Sequence, residues 1–92
     1  MRNSRTEFDH VTDTRVRAAL LGRINIHHIV IALDISRDYL VEFVAEAPEN
    51  GLDLELLSHR AQQLCEAQAH IVKGTDDDWR KARTCLRRYW SI

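Results

Sequence analysis

The strongest constraint on how this chain can fold is a stripe of residues with helical spacing between Asp53 and Val72. Its members lie three and four residues apart, so they fall along one side of an α-helix, and only Gln68 among them is polar. The stripe consists of Leu54, Leu57, Ala61, Leu64, Gln68 and Ile71. Because such a stripe packs against a helix that runs nearly parallel or antiparallel to it, the segment predicts a long helix with a helical neighbour.

The end of the chain predicts that neighbour. Lys73-Gly74 ends the first helix, since glycine tolerates the left-handed backbone of a helix C-terminus, and Thr75 begins another helix. Its apolar positions again lie three and four residues apart: Trp79, Ala82, Leu86 and Tyr89. We predict a C-terminal hairpin whose two stripes face each other. The alternative, which the sequence leaves open, is that one stripe pairs between two copies of the chain and makes a homodimer.

The N-terminal part of the chain carries a helix-start signal. Ser4-Arg5-Thr6-Glu7 has the form of a capping box, in which the serine and glutamate side chains satisfy free amides of the first turn. A helix is therefore expected from about Arg5 to Leu21, preceded by a flexible N-terminus of residues 1–4. It should end near Gly22, because glycine is favoured just beyond a helix.

The segment of residues 24–33 is ambiguous between strand and helix. Its β-branched residues favour a strand, while its length and apolar spacing fit a helix face, and we choose a helix capped by Asn25. Ser36 is expected to cap the next helix, from Arg37 to about Ala47, because its hydroxyl can accept from nearby amides. Pro48-Glu49-Asn50-Gly51 then predicts a turn.

The centre of the chain combines apolar and polar positions in a distinctive order. Three apolar residues, an aspartate, an apolar residue, a serine and two further apolar residues follow one another: Ile29, Val30, Leu33, Asp34, Ile35, Ser36, Leu40 and Phe43. In this order the segment from Asn25 to Glu46, about a quarter of the chain, resembles the helix-turn-helix of DNA-binding regulators. The departure is Asp34, where the family usually has glycine in its tight turn, although aspartate adopts the left-handed region more readily than most residues.

The resemblance implies a DNA-reading surface on the second of these helices. The residues that it places towards the major groove are Arg37, Asp38, Val41, Glu42 and Ala45. Arg37 would then read guanine, and Glu42 would accept from a cytosine amine. With this segment included, the sequence predicts one all-α domain over residues 1–92, with about five helices, a helix-turn-helix-like centre and a C-terminal helical hairpin.

The charges of the central segment argue against contact with phosphates. Residues 38–55 contain six acidic residues and no lysine or arginine, whereas phosphate binding depends on lysine and arginine. The predicted second helix therefore has one arginine, Arg37, and three acidic residues, Asp38, Glu42 and Glu46. We therefore predict that this segment is a packing unit or a surface that docks on a protein, rather than one that binds DNA.

The last helix carries the opposite charge, although the net charge of the chain is only −1. Five basic residues lie within nine positions: Arg80, Lys81, Arg83, Arg87 and Arg88. Trp90 is expected to be an exposed apolar group beside them. Arginine and tryptophan are frequent anchors of protein interfaces, and basic residues interleaved with aromatic ones also suit single-stranded nucleic acid. The candidate residues for binding a protein or a nucleic acid are Arg37, Asp38, Glu42, Glu46, Arg80, Arg83, Arg87, Arg88 and Trp90.

Catalysis, metal binding and membrane insertion find no support in the sequence. There is no phosphate-binding glycine loop, no close Cys/His spacing of a zinc site, and no apolar run near the roughly 20 residues that span a bilayer. The N-terminus lacks the apolar stretch of a signal peptide. We therefore expect a cytoplasmic protein without cofactor or catalytic residues, with Cys65 and Cys85 as buried, reduced thiols.

These observations lead to two function hypotheses. The first is a small non-enzymatic regulatory or inhibitory protein that acts by binding another protein and has the size of phage or plasmid regulators. The alternative is a DNA-binding helix-turn-helix transcriptional regulator that uses Arg37 to Ala45 as its recognition helix.

Overall fold

Four α-helices form the part of the chain that the computed structural model describes, which is residues 8–47, 51 and 53–91. They are α1 (Thr14–Leu21), α2 (Ile26–Ala45), α3 (Leu54–Lys73) and α4 (Asp76–Trp90). No strand occurs in these described ranges. The prediction of an all-α chain is confirmed, with four helices in place of about five.

Helix α2 is continuous, so the predicted turn at Asp34 and the predicted helix start at Ser36 are both wrong. One line of buried and half-buried residues runs along α2 with spacings of four and three and without a break: Ile29, Leu33, Ser36, Leu40 and Phe43. Ser36 fits into this stripe because its hydroxyl donates a 2.6 Å hydrogen bond to the carbonyl oxygen of Ala32. Asp34 is exposed, and its carboxylate lies 3.6 Å from Arg37. No described residue other than glycine has a positive φ.

Helix α1 begins later than the predicted start at Arg5, because Asp13 caps it. The Asp13 carboxylate accepts hydrogen bonds from two amides of the first turn. Before α1 the chain turns and places Phe8 in the core, where its side chain is fully buried. The predicted capping box of residues 4–7 and the predicted flexible residues 1–4 lie outside the described residues, as does most of the predicted turn after α2.

The ends of the later helices agree with the sequence. The side chains of Asn25 and Asp53 accept hydrogen bonds of 3.3 and 3.1 Å from amides at the starts of α2 and α3. Gly74 ends α3 in the left-handed conformation, with a φ of 73°. Thr75 and Asp78 then form a capping box at the start of α4.

Helices α3 and α4 form the predicted hairpin, and α4 packs against each of the other three helices. The buried members of the two predicted stripes are Leu64, Ala82, Leu86 and Tyr89. Leu54 is 68% exposed, so the stripe on α3 begins later than predicted.

The two cysteines differ in exposure: Cys85 is buried as predicted, whereas Cys65 is exposed. None of the described helices combines the length and the apolarity that crossing a membrane requires.

Acid is expected to weaken the junction of α3 and α4 through Asp78. A hydrogen bond from the Thr75 hydroxyl, and after it one from His70, lowers the pKa of Asp78 from 3.8 to about 2. Because the pKa is lowered on folding, ionised Asp78 stabilises the fold at pH above about 4, and this contribution is lost as the pH falls towards about 2. We expect the thermal unfolding midpoint to fall less steeply over this range in Asp78→Asn than in the wild type. Circular dichroism measures the unfolding midpoints of both proteins, and an equal dependence of the two midpoints on pH would contradict the role of Asp78.

Candidate functional site

A cleft of about 360 Å³ opens where the second half of α2 meets α3 and the end of α4. Its lining combines four aromatic rings with charged groups: His10, Tyr39, Glu42, Phe43, Glu46, Arg60, Tyr89 and Trp90. The volume lies at the lower end of the range for binding sites in proteins, about 300 to 1,000 Å³. We call this site the acidic aromatic cleft.

One side of α2 supplies the acidic wall of the cleft. Tyr39, Glu42, Phe43 and Glu46 lie three and four residues apart, so they project from the same side of the helix. Both glutamates are exposed, and no cation of the described residues lies within ion-pair distance of either carboxylate. The α2 wall therefore offers two carboxylates, neither of them paired with a cation of the described residues, next to two aromatic rings.

The end of α4 supplies the opposite wall and is tied to the middle of α2 through Ser36. The hydroxyl of Tyr89 donates a 3.1 Å hydrogen bond to the Ser36 carbonyl, and the indole Nε1 of Trp90 donates a 2.8 Å bond to the Ser36 hydroxyl. Burial raises the pKa of Tyr89, which keeps its hydroxyl a hydrogen-bond donor. The prediction of an exposed Trp90 is corrected: the side chain is half-buried, because Ser36 holds it against the fold.

The ring of Trp90 also contacts the α2 wall. Its centre lies 5.3 Å from that of Tyr39 and 5.2 Å from that of Tyr89, both in edge-to-face geometry. His10 Nε2 lies 2.7 Å from the Trp90 carbonyl oxygen, which connects the segment before α1 to the end of α4. The aromatic part of the cleft is therefore held by packing and hydrogen bonds from three parts of the chain.

Arg60 of α3 contributes a positive charge to the cleft. Its guanidinium lies 4.8 Å from the centre of the Phe43 ring and 5.8 Å from that of Tyr89, distances typical of cation–π contacts. Its Nε atom is buried and has no hydrogen-bond acceptor among the described residues. The cleft thus contains two carboxylates and one guanidinium, which lies against two aromatic rings.

The structure brings only part of the predicted site residues together. Glu42, Glu46 and Trp90 share the acidic aromatic cleft, whereas Asp38 lies on α2 outside it, and Arg37 lines a separate groove between α2 and α3. The cleft residues that were not predicted as site residues are His10, Tyr39, Phe43, Arg60 and Tyr89. For Tyr39 and Phe43 a signal was present, because they share one helical side with the glutamates. The sequence carries no local signal for Arg60, whose position depends on how α3 packs.

The predicted basic residues of α4 are divided between two depressions. Three arginines line the first, of about 280 Å³, together with two hydroxyl groups: Arg83, Thr84, Arg87, Arg88 and Ser91. Arg83 donates a hydrogen bond to the Gly22 carbonyl, and the Arg87 guanidinium lies 5.2 Å from the centre of the Phe8 ring, so both take part in the fold. Arg80 lies in another depression, next to Trp79. The basic end of α4 is therefore not one continuous free surface.

The described residues define a small all-helical protein with a mixed acidic and aromatic cleft, and they contain no group of three side chains placed to hold a metal ion. No protein-family model matches the chain, and comparison with curated proteins and with solved structures gives no significant match. We therefore base a functional proposal on the geometry of the chain itself.

Proposed function

We propose that this protein is a small non-enzymatic regulatory or inhibitory protein that acts by binding another protein through the acidic aromatic cleft and the adjoining surface of α2. The observation that carries the proposal is an exposed aromatic side chain beside two acids that have no ion-pair partner among the described residues. Tyr39 is 43% exposed and lies in the cleft with Glu42 and Glu46. Apolar and aromatic groups bordered by charges are typical of protein interfaces.

The state of the reactive side chains supports binding rather than catalysis. Glu42 and Glu46 are exposed to solvent, whereas a general acid or base usually lies in a desolvated pocket beside a partner group. Burial raises the pKa of the Cys85 thiol, which keeps it protonated and poorly nucleophilic. The hydroxyl of Tyr89 is engaged with Ser36.

The test compares the proteins captured by variants of the tagged chain from an extract of the organism that encodes it. We expect the wild type to retain a partner that the double variant Glu42→Lys/Glu46→Lys loses. The control is Asp34→Lys/Glu55→Lys, which makes the same change of charge at two exposed acids outside the cleft. A partner that both double variants retain, or that both lose, would contradict binding through the cleft.

Binding of nucleic acid is a second candidate function, and the depression on α4 favours it. Arg83, Arg87 and Arg88 gather there with two hydroxyl groups, and this arrangement suits a phosphate. Fluorescence anisotropy with duplex and single-stranded DNA tests it at about 50 and 200 mM salt, because phosphate-driven binding weakens steeply between these concentrations. No binding at the lower concentration, or binding that Arg88→Glu leaves unchanged, would count against this candidate.

A further inference from the structure

The acidic aromatic cleft has room for a long side chain but not for a helix. Its volume is about 360 Å³, whereas a helix with its side chains is about 10 Å wide. A folded element of a partner would therefore lie on the surface of α2 and send a single side chain into the cleft. The chemistry of the lining decides which side chain fits.

The charges of the lining favour a cation. Glu42 lies in the last turn of α2 and Glu46 is the residue just after the helix, and neither has an ion-pair partner among the described residues. The opposing charge, Arg60, lies over Phe43 and Tyr89 and faces two carboxylates in the same cleft. An anionic group would meet two carboxylates at the rim, so electrostatic attraction favours a positive guest.

The rings of the lining favour a planar cation. The aromatic walls already contact one guanidinium, because the Cζ atom of Arg60 lies 4.8 Å from the centre of the Phe43 ring. The Tyr39 and Trp90 rings form a second aromatic pair in the same cleft, beside Glu42. An arginine side chain stacks on aromatic faces and bonds carboxylates with two N–H groups, whereas a lysine ammonium is a strongly hydrated point charge.

We propose that the acidic aromatic cleft is an arginine-binding pocket, in which Glu42 and Glu46 bond the guanidinium of a partner protein and the Tyr39 and Trp90 rings pack against it. The proposal rests on the proposed function, because it makes this arginine the anchor of the bound partner. Anchors of this kind lie near the centre of an interface.

The experiment uses N-acetyl-arginine methylamide as a probe and follows the two indole N–H signals of the full chain by NMR. Trp90 lies in the cleft, whereas Trp79 lies in another depression and donates to the Gly74 carbonyl, so it serves as an internal control. We expect a saturable shift of the Trp90 signal and none of the Trp79 signal. N-acetyl-citrulline methylamide, which has nearly the same shape without the charge, should leave both signals unchanged.

Charge-removing variants test whether the Glu42 and Glu46 carboxylates bind the arginine probe. Glu42→Gln/Glu46→Gln should weaken binding of the arginine probe by about three- to tenfold, the effect of losing two exposed ion pairs. Asp34→Asn/Glu55→Gln removes two charges outside the cleft and should bind the probe like the wild type. Circular dichroism of each variant verifies that it is folded. Equal binding by both double variants would overturn the roles of Glu42 and Glu46.

Three further outcomes would overturn the arginine pocket. These are equal shifts with the citrulline compound, a Trp90 shift with N-acetyl-glutamate methylamide in place of the arginine probe, and no Trp90 shift with any probe. If the probe fails while cleft variants still lose a captured partner, the arginine pocket is refuted and the proposed function stands. If the probe binds while no captured partner depends on the cleft, the pocket stands and the proposed function is refuted.

Discussion

Replacing Asp34 by proline is expected to lower the free energy of unfolding by about 3 kcal/mol or more. Asp34 lies in the middle of the continuous helix α2. A proline there removes the backbone hydrogen bond from residue 34 and places its ring against the carbonyl of Val30, four residues earlier. The loss is measured by urea denaturation followed by circular dichroism.

Asp34→Ala is the matched control. It removes the exposed ion pair with Arg37, 3.6 Å away, and it introduces a residue of higher helix propensity, so the net change should stay within about 0.5 kcal/mol. If proline were tolerated as well as alanine, the chain would turn at this position. Such a result would favour the helix-turn-helix geometry over a continuous α2.

Leu86→Ala is expected to destabilise the protein by about 3 kcal/mol, within the range of about 2 to 5 kcal/mol for buried leucines. The Leu86 side chain is fully buried on α4, the helix that packs against the other three. Truncation removes apolar contacts and leaves a cavity that the surrounding helices can fill only in part. Urea denaturation again provides the measurement.

Two substitutions test whether burial causes this loss. Leu54→Ala makes the same chemical change at a side chain that is 68% exposed and should cost less than about 0.5 kcal/mol. Leu86→Met keeps nearly the original volume and should cost less than about 1.5 kcal/mol. Equal losses for Leu86→Ala and Leu54→Ala would contradict the central position of α4.

The C-terminal hairpin was predictable because its signals are local. Gly74 adopts the left-handed conformation that its residue type favours, and Thr75 with Asp78 makes a capping box within four residues. The start of α1 was predictable only in part. Asp13 is as good a helix cap as Ser4. Which of the two residues caps the first helix depends on whether Phe8 is in a helix or enters the core by a turn.

The centre of the chain was mispredicted because Ser36 has two compatible roles. Serine is a frequent helix cap, and the sequence alone favours a helix start there. In the structure the Ser36 hydroxyl donates to the Ala32 carbonyl and accepts from the indole of Trp90, 54 residues away in sequence. A buried serine of this kind continues the apolar stripe of α2, and only the position of α4 reveals its second partner.

The same limit of sequence-based prediction applies to the candidate binding site. Glu42, Glu46 and Trp90 were predicted from charge and residue type, and the structure places them in one cleft. Arg60 was not predicted, because its contacts with Phe43 and Tyr89 join three helices and leave no local pattern in the sequence. Composition and charge thus indicated the residue types of the site, while tertiary packing determines which of them share a cleft.

Hydrogen–deuterium exchange of the protein, alone and with its captured partner, tests the central claim most directly, because it locates the bound surface without any substitution. We predict slower exchange in residues 39–46 of α2 and at Tyr89 and Trp90 when the partner is bound. Slower exchange confined to residues 80–88 of α4, with no change around the acidic aromatic cleft, would contradict the claim.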